Sequence, residues 1–341
     1  MVLELNLRFS DPGQVVIRLE EEESAALAFA SPLDAAALAD IRWYLEVYSA
    51  QYTADVDDQR AETIEANLKT WGEALFNAVF STAAARRLFN TFQDSGEVGR
   101  LITISARHPA ILGLPWELLR DPDGTYLLHE TPRISVRRRL AGAGGGRRAY
   151  RFQPQVKARI LFVISRPSDA GFIDPRSEAQ AVLRAIAAEA AGRVEAEFLR
   201  PATLDALVER LENAALPRVD ILHFDGHGVY DADGHLWETA KRSDAQLLTK
   251  GSSQEAQDMG YLLFENAEGK SALISAETLG DMLHRQQIGL VVLSACQSAA
   301  VGQGTAEDDP TAADAPGVLG SLAARLTHGG IPAVLAMTHS V

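Results

Sequence analysis

The sequence holds a single cysteine, Cys296, among 341 residues. One thiol cannot close an intrachain disulfide, and zinc sites built on several thiolates are excluded with it. Long apolar runs are also missing, since none reaches the roughly 18–20 residues that a spanning helix requires. The N-terminus lacks a secretory hydrophobic region, because Met1-Val-Leu-Glu-Leu-Asn-Leu-Arg alternates apolar and polar residues as a strand does. The expectation is a cytoplasmic chain with no membrane span. Positive charge is scarce as well. Lys and Arg together number 32 against 46 Asp and Glu, for a net charge of −14. The basic runs, Arg137–Arg139 and then Arg147 and Arg148, read as solvated loop ends. No direct nucleic-acid partner is expected, since phosphate tracking needs a basic patch. The only lysines are Lys69, Lys157, Lys241, Lys250 and Lys270. That bias toward arginine, with abundant alanine, points to a GC-rich prokaryotic source.

What is present describes a globular α/β chain. Hydrophobic residues make up 47% and charged residues 23%, enough to fill a core and too little charge for disorder. Residues 1–140 form a first unit. Val2–Phe9 and Gln14–Glu20 alternate around an Asp-Pro-Gly turn, which predicts a hairpin. Helical periodicity follows over Pro32–Ala50, Ala61–Asn77 and Thr82–Gln93, then a strand over Leu101–Ala106. In the apolar knot after Ile111, Trp116 and Leu118 read as core. Residues 141–153 are rich in Gly and Arg, but no strand runs into the glycines and no helix begins on them. They predict a linker rather than a phosphate cradle.

Over residues 154–341 strands and helices alternate, predicting a mostly parallel sheet between helices. The strands are Ile160–Ile164, Val194–Leu199, Asp220–Phe224, Gly289–Ala295 and Pro332–Met337. Tyr261–Glu265 and Ser271–Ile274 flank a hairpin-like turn. Ser177 is expected to open a capping box before the helix Glu178–Ala191. Thr203 caps a helix from Leu204, Ser275 caps Ala276–Arg285, and a last helix spans Val318–Thr327.

Open α/β sheets bind ligands beyond the carboxyl ends of their strands. Two such ends carry chemistry. Asp220–Phe224 runs into Asp225, Gly226, His227 and Gly228, with the glycines expected to turn the chain. Gly289–Ala295 runs into Cys296. If these strands are neighbours, an imidazole base faces a thiol nucleophile, the minimal pair for acyl transfer through a thioester. The backbone N–H groups of Gly228 and Cys296 are the candidate oxyanion hole.

The pairing of His-Phe-Asp-Gly-His-Gly with Val-Val-Leu-Ser-Ala-Cys-Gln-Ser-Ala resembles the CHAT domain, a relative of caspases, separase and metacaspases. Leu114-Pro-Trp-Glu-Leu-Leu-Arg-Asp, Gly260-Tyr-Leu-Leu-Phe-Glu and the stretch from His328 to Met337 resemble further blocks of that family, in its order. The likeness covers roughly Arg100 to the end. It implies a caspase-like sheet, His227 as base, Cys296 as nucleophile, and a front unit that is caspase-like but catalytically empty. The implied enzyme is a regulated cysteine endopeptidase acting on protein substrates, with an activating partner or fused domain and a role in prokaryotic defence or cell death. A catalytically silent binding or scaffold module is the alternative.

His223, Asp225 and His227 fall on one face of an extended strand. No further ligand converges on them, so neither a metal nor a cofactor is expected. Asp225 is a candidate to support the imidazole or shape the turn. Ser294 stands two residues before Cys296, where metacaspases place an acid for basic P1 residues. Its neutrality suggests a neutral or apolar P1 side chain. The polar stretches Asp231–Gly260 and Gly302–Pro316 are expected to frame the cleft. Only Thr338-His-Ser-Val follows the last strand, which suggests a truncated chain or part of a longer protein.

Overall fold

The computed structural model describes residues 2–11, 13–49, 55–95, 99–131, 133–140, 156–174, 176–231, 247–248, 259–296, 322–323, 325–327 and 329–336. The expected linker at 141–153 and the stretch Gly302–Pro316 lie wholly outside these residues, as does most of Asp231–Gly260. The chain divides into two compact units, Met1–Gly142 and Ala143–Ser340.

In the first unit the predicted hairpin forms. β1 (Val2–Asp11) and β2 (Gln14–Leu19) pair antiparallel, with Leu5 opposite Leu19 and Phe9 opposite Val15. Period-2 alternation sends Leu5, Leu7 and Phe9 into the core together with Val15, Ile17 and Leu19. Two very short strands, β3 (Glu22–Glu23) and β4 (Leu27–Ala28), edge β2. On its other side β1 pairs parallel with β5 (Gly99–Ala106). β6 (Ile134–Leu140) then pairs parallel with β5.

The expected helix over Pro32–Ala50 is two elements. α1 (Ala35–Trp43) is capped by Asp34 and passes into a π-helical turn at Tyr44–Tyr48. Stacking among Trp43, Tyr44 and Tyr48 accompanies that wider turn, and the Tyr44 hydroxyl donates to Glu65 at 2.6 Å. α2 (Asp55–Val79) and α3 (Ala83–Gln93, capped by Thr82) bring Phe76, Phe80 and Phe89 into one aromatic cluster over the sheet. The short helix α4 (Pro109–Leu112) leads to Trp116, which is fully buried and donates from Nε1 to the Ile111 carbonyl at 2.7 Å. Leu118 is only half-buried; the core position beside Trp116 is Leu119. A 3₁₀ turn at Trp116–Leu118 puts these two inward.

In the second unit, β7 (Ala158–Ile164), β8 (Val194–Phe198), β9 (Ile221–Asp231), β13 (Leu290–Cys296) and β14 (Ala333–Ala336) form a parallel array ordered β8-β7-β9-β13-β14. The later half of β9 also pairs antiparallel with β11 (Met259–Glu265). β12 (Ser271–Ser275) and the two-residue β10 (Leu247–Leu248) continue that side. One face buries Leu161, Val163, Leu222, Phe224, Val291 and Leu293. It lies against α6 (Leu204–Glu212, capped by Thr203) and α7 (Ala276–Arg285, capped by Ser275). The other face holds Ile160, Phe162 and Ile164 against α5 (Ser177–Glu189).

Three local expectations are corrected. The N-cap position of α5 falls not on Ser177 but on Arg176, which makes no side-chain cap. The Glu178 side chain is drawn instead to groups on the sheet, as described below. Asp225–Gly228 is not a turn beyond a strand, because β9 continues to Asp231 with a sheet partner along its whole later half. Cys296 likewise closes β13 rather than following it.

Candidate active site

β9 changes partner along one edge. β7 pairs with it as far as Ile164 opposite Asp225, and β11 takes over with Leu262 opposite Gly228. His227 lies in that switch. Along the other edge β13 runs in unbroken parallel register, with Val292 opposite His223, Ser294 opposite Asp225 and Cys296 opposite His227. Neighbouring strands lie about 4.8 Å apart, and paired positions of a parallel ladder share a sheet face. The two chemically competent positions are therefore adjacent, though 69 residues apart in the chain.

Gly226 permits a close approach rather than a turn. A Cβ there would sit 2.9 Å from the Phe224 ring and 3.2 Å from the Ser165 carbonyl oxygen. The segment after β7 can thus pass tightly beside β9, and Ser165 N donates to Asp225 O at 2.9 Å.

His227 is 1% exposed, and its Nε2 stands 2.7 Å from the carbonyl oxygen of Gly171. A carbonyl only accepts, so Nε2 carries the proton. The neutral ring then has its lone pair on Nδ1. Nδ1 is buried and has no hydrogen-bond partner among the described residues. An imidazole held at Nε2 with Nδ1 unpaired can accept a proton from a group that reaches Nδ1.

Asp225 makes no hydrogen bond to the imidazole among the described residues. Its Oδ1 accepts from Arg166 Nη2 at 2.7 Å, and Oδ2 is buried without a partner among the described residues. Burial pushes this carboxyl above its usual range, against the pull of Arg166. The acceptor that orients His227 is the Gly171 backbone, which no residue type in the sequence marks.

Beneath the pair, Phe162 stacks on His223 with centroids 4.8 Å apart. His223 Nε2 lies 3.5 Å from Glu178 Oε1, an electrostatic contact rather than a well-formed hydrogen bond. The Ser294 hydroxyl donates to the other Glu178 oxygen. The His223 imidazole foremost holds the Glu178 carboxyl below its usual 4.5; burial opposes this and the Ser294 hydroxyl adds to it. A lowered pKa means the unfolded chain binds this proton more readily, so the contribution is present above pH 4.5 and lost on acidification. Urea unfolding should accordingly show wild type more stable than Glu178→Gln at pH 7, with the gap closing below pH 4.5. A gap that is constant with pH would refute this. Among the described residues no cluster of His, Cys, Asp and Glu is arranged to hold a metal ion.

The sequence profile of the CHAT domain matches residues 69–341. The chain belongs to the CHAT domain family. That match begins inside α2, about thirty residues before the likeness read from the motifs, and it spans both units. CHAT domains are related to caspase-like cysteine peptidases, and the α/β fold is compatible with that kinship. No curated protein sequence matches the chain. Among the described residues no helix is long and apolar enough to cross a membrane.

Proposed function

We propose that this CHAT chain is a cysteine endopeptidase using Cys296 as nucleophile and His227 as base. The register of β9 and β13, which sets Cys296 opposite His227, is the observation that carries the reading. In this mechanism Nδ1 of His227 takes the thiol proton and the thiolate attacks the peptide carbonyl. The tetrahedral oxyanion is received by backbone N–H groups at Gly228 and Cys296. The C–N bond breaks as the imidazolium protonates the leaving amine, and water hydrolyses the thioester. The first unit, residues 1–140, is read as a caspase-like subdomain without a nucleophile, in keeping with its lack of cysteine. An activating partner or fused domain and a role in prokaryotic defence or cell death rest on the family resemblance alone.

The test is a panel of peptidyl acyloxymethyl ketones with varied P1 side chains, read by intact mass. Wild type should gain one adduct, and Cys296→Ala none. Cleavage of matching peptide substrates should disappear in Cys296→Ala. Adduct formation without peptide turnover would favour the scaffold alternative, and no selective adduct would overturn the assignment.

A further inference from the structure

We infer that Arg166 is a positioning residue for the base, an inference that rests on the dyad proposed above. A guanidinium has five N–H donors in a fixed fork, and Arg166 uses all five. Nε donates to Ile173 O at 3.0 Å. Nη1 donates to Ser165 O and to Asp225 O, each at 2.8 Å. Nη2 donates to Asp174 O at 3.3 Å and to Asp225 Oδ1 at 2.7 Å. Four of the five acceptors are backbone carbonyls. One side chain thus ties both ends of the segment 165–174 to β9 at Asp225, two residues before His227.

That segment carries Gly171, whose carbonyl fixes the imidazole tautomer. Its first half has other anchors. Arg166 N donates to Glu265 Oε1, Ser168 N to Gly269 O, and Asp169 Oδ1 accepts from Ser271. Ala170 packs against Tyr261 and Leu263. From Gly171 onward burial contributes little, because Gly171 and Asp174 are exposed and Phe172 is 90% exposed. Backbone hydrogen bonds must hold this half, and Arg166 supplies those to Ile173 and Asp174. With its donors saturated, the guanidinium serves the chain itself. Lysine would keep the charge but bring only three donors with no fork, so it is not an adequate substitute.

The test uses the full chain with ¹⁵N-labelled histidine, as wild type, Arg166→Lys, Arg166→Ala and His227→Gln. The ring-nitrogen spectrum, assigned through His227→Gln, reports the tautomer of His227. The pH profile of Cys296 alkylation by iodoacetamide reports whether the base is engaged. Wild type should show the proton on Nε2. Both Arg166 variants should show mixed tautomers and an alkylation profile shifted toward that of His227→Gln. Peptide turnover should fall roughly 10²-fold, the scale of a small misplacement of a reacting group. Added guanidinium should partly restore Arg166→Ala. An Arg166→Lys protein with the wild-type tautomer and profile overturns the inference. Should Arg166→Ala fail to fold, the lysine variant decides; unfolding of both overturns a local positioning role. Identical alkylation profiles for wild type and His227→Gln would instead sink the dyad, leaving the tautomer spectrum to judge Arg166 separately.

Discussion

His227→Ala should lower peptide turnover by about 10²–10⁴-fold, the usual contribution of a general base, while slowing alkylation of Cys296 far less. The two readouts part for a physical reason. An unassisted thiol with a pKa near 8.5 is still roughly 3% thiolate at pH 7. Losing the base therefore costs alkylation at most about 30-fold at that pH, and the deficit vanishes as pH rises past 8.5. Turnover has a second demand on the imidazole, because the leaving amine must receive a proton. No pH supplies that to the variant, so its turnover never rises to the wild-type rate at neutral pH. The measurement is alkylation and peptide cleavage from pH 6 to 10 for both proteins. Equal alkylation at pH 7, or turnover recovered at pH 10, would refute the role given to His227.

This prediction draws on both sequence and structure, and the division between them is physical. Strand periodicity and capping residues are local properties, so the hairpin of β1 and β2 and the caps at Thr203 and Ser275 were legible. The two strands carrying His227 and Cys296 were legible too, as apolar runs ending in reactive residues. Where those strands end was not. Gly226 and Gly228 suggest a turn, yet β13 pairs at Gly226 and β11 at Gly228, because pairing outweighs the local preference for bending. The Gly171 acceptor was invisible, since a backbone carbonyl has no residue signature. The same holds for Glu178. Nothing in its local sequence marks a partner, but α5 carries it to Ser294 and His223 from far away in sequence. The neutral P1 expectation rested on Ser294 alone, and an acid stands beside Ser294 after all. The P1 panel is for that reason built with basic as well as apolar members.

The helix α2 supplies the second large effect, a loss of stability in the first unit on replacing Gly72 by alanine. Alanine at an exposed helix interior is ordinarily favourable over glycine by about 0.5–1 kcal/mol. Here the sign reverses. A Cβ at Gly72 would stand 2.2 Å from the Leu118 carbonyl oxygen and 3.2 Å from Arg120 Cβ. Neither neighbour is the free end of a flexible side chain. Retreat of the 116–120 segment is opposed by fully buried Trp116, whose indole is held at Ile111 O and lies 5.6 Å from the Phe9 ring. The helix cannot easily retreat either, since Arg120 N reaches Gly72 O at 3.4 Å and the Arg120 guanidinium pairs with Glu73 at 3.1 Å. Overpacking of a fixed contact costs about 1–3 kcal/mol, occasionally more, and the usual helix gain offsets only part of it. The expected net loss is about 2 kcal/mol, read as faster hydrogen exchange in β5 and a transition lowered by roughly 5–10 °C. Leu114-Pro-Trp-Glu-Leu-Leu-Arg-Asp is one of the blocks that resembles the CHAT family, and the family match starts three residues before Gly72. The crossing of α2 over that block depends on both Trp116 and Gly72: the indole anchors the segment and the missing Cβ lets the helix lie flat on it. A Gly72→Ala protein as stable as wild type would refute the role given to the missing Cβ.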